Sequence, residues 1–490
     1  MNTPFDPEII RTRQLEWSRR TFLGKSAQAL GALALGSLVN PRLLSAQEPT
    51  VPGPGGRWMG CLPSPNFAPR AKRVIHLYMA GGPSHLETFD YKPELNRIHG
   101  QPFPASFTNG QQLAQLQNTT LLARGSSFTF SRCGISGQMI SDLLPYTQQI
   151  ADDICIIRSL HTEQINHDPA HAFMNAGSMV KGRPSMGSWL LYGLGAETDN
   201  LPGFVVLMSR GPSGGEQPVS ARQWSAGFLP SRFQGVQFQS KGVPVHYVGN
   251  PDGVCQSTQR QVIDEIARLN GFHEEETLDP EVQTRIAQYE LAFKMQTSVP
   301  DLADLSSEPE SIREMYGVKE IGDGSFASNC LVARRLAERG VRFIQLYHRG
   351  WDQHGNLDTD IKEVCRRCDQ ASAALVKDLK QRGMLDDTLV LWGGEFGRTP
   401  MGQGTGRDHH INAFSAWLAG GGIRGGLSWG SSDDLGYRYI DDSQQMHVHD
   451  LHATMLAAFG INHEKLIYRF QGRDFRLTDV HGKIAHGVFA

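Results

Sequence analysis

Histidines and carboxylates crowd four short stretches of the 490-residue chain. GGPSHLETFD carries Ser84, His85, Glu87 and Asp90, and HTEQINHDPAH carries His161, Glu163, His167, Asp168 and His171. HRGWDQHGN carries His348, Asp352 and His354, and GGEFGRTPMGQGTGRDHH carries Glu395, Arg398, Arg407, His409 and His410. Imidazole nitrogen and carboxylate oxygen together suit a divalent ion such as zinc or manganese, with calcium a third option. Asp352 and His354 form the sharpest pair, in a turn ahead of a glycine. Glu395 follows a double glycine, where missing side chains let the backbone come close to a bound group. His409 and His410 are adjacent, so an extended segment points them in opposite directions and brings one of them, with a slight preference for His410, to a given ion. Arg398 and Arg407 could hold an oxyanion with forked hydrogen bonds or form structural ion pairs.

Each cluster follows an apolar run that reads as a strand: RVIHLYMA, DDICIIRSLH, RFIQLY and TLVLW. GFVVLMS is a further strand, and NCLVARRLAERG and DIKEVCRRCDQASAALVKDLKQRG have helical periodicity. Continuous apolar strands interleaved with helices describe an α/β fold, a doubly wound and mostly parallel sheet covered on both faces. Such sheets bind ligands at the carboxyl ends of their strands, where all four clusters fall. Residues 204–255, with runs such as VHYVG, suggest a small antiparallel insertion. In MHVHDLHATMLAAFG, Asp450 reads as a helix cap and MLAAFG as core. Cys365 and Cys368 fall within a helical pattern and read as core rather than as a thiol site.

Lys and Arg total 47 against 50 Asp and Glu, for a formal charge of -3. No long basic block is present, so nucleic acid is not an expected partner. Arg19 and Arg20 precede a Gly- and Ala-rich apolar segment ending near Ala46, the pattern of a twin-arginine signal peptide over residues 1–46 that engages the twin-arginine export machinery. Residues 47–70 then read as an extended lead-in and residues 71–490 as a single domain. No stable membrane span is expected in the mature chain, which places it in the periplasm or outside the cell.

MAGGPSHLETFD, GEFGRTP, GRDHH, LAGGGIRGG, DLHATMLAAFG and GRDFRLTDVHGKI, in that order, resemble the uncharacterised domain family numbered 1501, whose members are similar to the alkaline phosphatase and sulfatase superfamily. The resemblance implies a metal-assisted cleft for sulfate or phosphate esters. It also implies metal ligands at Asp352, His354, Glu395 and His409 or His410, to which the position of the clusters adds His85 and His167 as contributors. Two departures stand out. Ser84 and His85 replace the aspartate expected after the first strand, and HDPAH places His167 where a sulfatase nucleophile should be and His171 where its arginine should be. Water activated by the ion would then replace the missing nucleophile, with Arg398 or Arg407 binding the anionic oxygens and His171 protonating the leaving oxygen. The functional expectation is an esterase acting on an anionic small molecule or polysaccharide. The competing expectation is a noncatalytic exported protein that binds an anion or glycan.

Overall fold

The computed structural model describes residues 59–490 except 210–218, 243, 246–248, 251–252 and 278–279. The twin-arginine segment lies outside the described residues, as does most of the VHYVG run.

Nine strands build the central sheet: β1 (Arg73–Ala80), β2 (Ile154–His161), β3 (Phe204–Met208), β4 (Val236–Phe238), β5 (Phe343–Arg349), β6 (Thr388–Gly393), β7 (Phe414–Ala419), β8 (Leu427–Trp429) and β9 (Met446–His447). Their order is β8-β2-β7-β6-β1-β5-β3-β4, with β9 also paired to β2. All run parallel except β7, which is antiparallel to β2 and to β6. β1, β2, β5 and β6 therefore all end at the same edge.

Alternation along the central strands divides the core in two. Ile75, Leu77 and Met79 face the layer of α5 (Phe326–Glu338) and α6 (Leu357–Gln381). Val74, Tyr78 and Ala80 face the layer of α1 (His167–Ala176), α2 (Met186–Leu194) and α7 (Val448–Ala458). Between these groups, Gln256–Thr277 forms α3 and Pro280–Ala303 forms α4. Pro52–Ala490 is one compact unit, and no described helix is long and apolar enough to cross a membrane.

Two local expectations change. Val236–Phe238 extends the main sheet in parallel, with Val205 opposite Val236, rather than starting an antiparallel insertion. The antiparallel additions are hairpins elsewhere, at 130–141, 397–410 and 468–475. At α7 the N-cap is His447, and Asp450 closes a capping box by accepting from the His447 amide at 2.9 Å. Cys365 and Cys368 are fully buried in α6.

Candidate metal centre

Four side chains from three chain segments converge beyond the carboxyl ends of β2, β5 and β6. His167, Asp352, His354 and His409 each offer a ligand atom, all within 4.8 Å of one another. His167 opens α1 after the β2 loop, Asp352 and His354 lie in the turn after β5, and His409 comes from the second strand of the 397–410 hairpin. Asp352 Oδ1 is 3.0 Å from His354 Nε2, 3.3 Å from His167 Nε2 and 3.4 Å from His409 Nε2. Side-chain exposures of 12% for His167, 15% for Asp352 and 25% for His354 show that the cluster opens to solvent.

Hydrogen bonds behind the cluster decide which nitrogens carry protons. His409 Nδ1 donates to the Ile165 carbonyl at 2.7 Å, and His354 Nδ1 donates to Gln403 Oε1. Gln403 Nε2 in turn donates to Gln115 Oε1 at 2.8 Å, which fixes the orientation of the amide. With Nδ1 donating, each ring in its neutral form turns its Nε2 lone pair into the cluster, where the two Nε2 atoms stand 2.9 Å apart beside the Asp352 carboxylate. Lone pairs held this close call for a cation between them. The donor set fits a divalent ion.

A second group, His167, His171 and Glu395, lies behind the first. Glu395 is fully buried, with Oε1 accepting from His167 Nδ1 at 2.7 Å. The Gly81 amide sits 3.0 and 3.2 Å from its two oxygens. Burial pushes the Glu395 carboxyl up, but facing His171 and His167 outweigh it and hold it at about 2. Burial likewise opposes ionisation of Asp352, but in the protonated forms of the rings Nε2–H groups of His167, His354 and His409 bond to it and, with the Arg398 charge, hold it far below the usual carboxylate range. Burial depresses His167 too, yet Asp352 and Glu395 more than reverse it and raise its pKa. His171 is fully buried and lowered by burial. Its Nδ1 shares a 2.8 Å hydrogen bond with the Tyr78 hydroxyl and lies 3.6 Å from Glu395 Oε2.

Other candidates fall elsewhere. His85 Nε2 meets the Gly436 carbonyl at 3.0 Å and His410 Nε2 meets that of Tyr437, so neither belongs to the two ligand groups. Strand alternation in the hairpin turns His410 away as it turns His409 in, reversing the preference within that pair. Arg398, expected to hold substrate oxygens, is fully buried and already occupied. It donates to the carbonyls of Gly81, Gly82, Trp351 and Arg407 and, at 2.6 Å, to Asp352 Oδ1. Arg407 is likewise locked against Glu87, at 2.6 Å. His171, expected as an acid at the leaving oxygen, has no exposed surface. The sequence reading missed Tyr78, Gln403 and the Ile165 carbonyl. Tyr78 sits mid-strand among apolar neighbours and carries no local signal, whereas Gln403 lies inside the hairpin already singled out.

A family model described as a protein of unknown function (DUF1501) matches residues 71–489. The chain belongs to the DUF1501 family. No curated protein matches the chain in sequence. Solved structures similar to this DUF1501 chain include the PsFucS1 sulfatase from Pseudoalteromonas sp., at 10% identity over 81% of this chain and 68% of that one, with a TM-score of 0.34. The lipoteichoic acid synthase LtaP from Listeria monocytogenes shows 10% identity over 81% and 74%, also at 0.34. An alkaline phosphatase from the Antarctic bacterium TAB5 shows 12% over 72% and 92%, at 0.27. Likeness at this level carries no chemistry, which has to come from the side chains of this chain.

Proposed function

We propose that His167, Asp352, His354 and His409 hold a divalent ion, zinc or manganese ahead of calcium, and that the protein hydrolyses sulfate or phosphate esters outside the cytoplasm. The twin-arginine pattern supports the location, and an anionic small molecule or polysaccharide is the substrate class. The observation that carries the reading is the pair of Nε2 atoms 2.9 Å apart beside a carboxylate, with both Nδ1 atoms already bonded to oxygen acceptors. Three imidazoles and one carboxylate suit zinc or manganese better than calcium, which prefers six to eight oxygens. When bound, such an ion polarises an ester oxygen and makes water more acidic.

The remaining roles belong to the chain. Glu395 accepts the Nδ1 proton of His167 and thereby directs Nε2 into the cluster, acting behind the ion rather than on it. Arg398 fixes Asp352 and the strand-end carbonyls that surround it. His85 and His410 support the loop around Gly436 and Tyr437. His167, at the first turn of α1 and partly exposed, has Nδ1 committed to Glu395 and Nε2 turned into the cluster, so it would serve as a ligand and not as a proton carrier.

One observation favours the noncatalytic alternative: no described Ser, Thr or Cys side chain hydrogen-bonds to His167, His354 or His409. Ser159 is instead tied to the Gln444 carbonyl at 2.5 Å. Plasma mass spectrometry of the purified protein tests the metal, alongside 4-nitrophenyl sulfate and phosphate as substrates. About one ion per chain, lost in Asp352→Asn, is the expected result; less than about a tenth of an ion in metal-replete wild type would sink the metal reading. Stoichiometric metal with no turnover of either ester would favour the binding protein.

A further inference from the structure

On the α5 and α6 face of the sheet, a cavity of about 890 Å³ opens among the first turns of both helices. Strand alternation turns Leu346 and His348 to this face and Tyr347 to the other, so the cavity is separated by the sheet from the α1 layer. His348, fully buried, forms part of the wall. Trp351 Nε1 donates to His348 Nδ1 at 3.0 Å. Indole can only donate, so the neutral imidazole carries its proton on Nε2, and Nε2 has no partner among the described residues. A buried N–H without an acceptor is rare in a folded chain and marks a place where a ligand or water would be held.

Further donors share the wall. Phe326 and Ala327 begin α5, where first-turn amides have no acceptor within their helix, and the α5 dipole favours negative charge at this end. Lys319 and Lys362 stand there as cations, Lys362 5.5 Å over the Phe128 ring, and neither enters an ion pair among the described residues. The carboxylates of the same wall are already used. Asp323 accepts from the Ser325 amide and the Ser328 hydroxyl, both at 2.8 Å, and Asp369 accepts from the Tyr146 and Thr147 amides. Asp142 accepts from the Thr129 hydroxyl at 2.7 Å, and Asp358 pairs with Arg124 at 3.2 Å. What is left over is the unpartnered His348 N–H, the α5 N-terminus and two lysines outside any ion pair, beside the aromatic surface of Phe128 and Tyr146 and on a wall whose aspartates balance its lysines and arginines.

We propose that this cavity is a second ligand site, which takes an oxyanion carried on a small ring, such as a sugar acid or sugar sulfate, through His348 Nε2, the α5 N-terminus and the two lysines. The site does not depend on the metal cluster or on hydrolysis.

Calorimetric titration of the full-length protein with glucuronate and, separately, with inorganic sulfate tests it. Saturable binding is expected, weakened about tenfold in the double variant Lys319→Ala/Lys362→Ala and in His348→Phe, and unchanged by chelator treatment. Both lysines are exposed, so the double variant is expected to fold even if His348→Phe does not. Tighter binding of glucuronate than of sulfate supports the ring-borne ligand, and equal binding overturns that part in favour of the free inorganic ion. Absence of saturable binding by both probes up to about 10 mM, or full-strength binding in the lysine variant, overturns the site.

Discussion

A buried carboxylate whose oxygens are occupied by an imidazole proton and a backbone amide is a stronger candidate for orienting a ligand than for being one. Replacing Glu395 by glutamine keeps the shape but removes the charge that fixes the His167 tautomer. Glu395→Gln is therefore expected to lower metal affinity and ester turnover by about 10- to 100-fold while leaving the fold intact, measured by dialysis against chelator and by initial rates. An unchanged metal affinity would show that His167 is held by something else. At this scale the sequence is legible in part. Residue types and their position after strands mark Asp352, His354 and Glu395 as candidates for one site. The choice of His409 over His410 needs the pleat of the hairpin, and the occupied state of Arg398 needs carbonyls from four separate residues, which no local pattern displays.

The strand-to-loop junctions set the precision of the centre. Gly81 follows β1 at φ +125°, and a Cβ there would lie 2.5 Å from the Asp352 backbone nitrogen. The same residue donates its amide to Glu395. Gly81→Ala must then displace the turn that carries Asp352 or strain its own backbone. The expected outcome is a loss of about 1–3 kcal/mol in urea-measured stability together with loss of bound metal. Wild-type stability and metal content in that variant would show that the junction is looser than its geometry implies. The strands and long helices are legible because continuous apolar runs and the 3.6-residue period survive in the sequence. The edge strand Val236–Phe238 is not, because three residues give no period and its pairing with β3 depends on a partner about thirty positions away.

Across the whole molecule, buried histidines outside the metal cluster link stability to pH. Burial holds His76, His348 and His452 at about 3, against an ordinary value of 6.5. Between those values the unfolded chain binds protons that the folded chain refuses. The stabilisation is thus complete above about pH 6.5 and is lost progressively as pH falls toward about 3. The urea midpoint should therefore drop between about pH 7.5 and pH 5, before most carboxylates titrate. A flat profile over that interval would mean these rings are protonated in the fold or already shielded in the unfolded chain.

The reversed direction of β7 within the central sheet bears on how the centre assembles. Because β7 turns straight back alongside β6, the chain passes from Glu395 through the 397–410 hairpin to His409 without leaving the sheet's edge. Closing so short an excursion costs little chain entropy, and the cost grows only slowly with loop length. His167 and Asp352 arrive from distant parts of the chain, after β2 and β5 have paired. Glu395 and His409 are thus held by local contacts, whereas His167, Asp352 and His354 report that the sheet has closed.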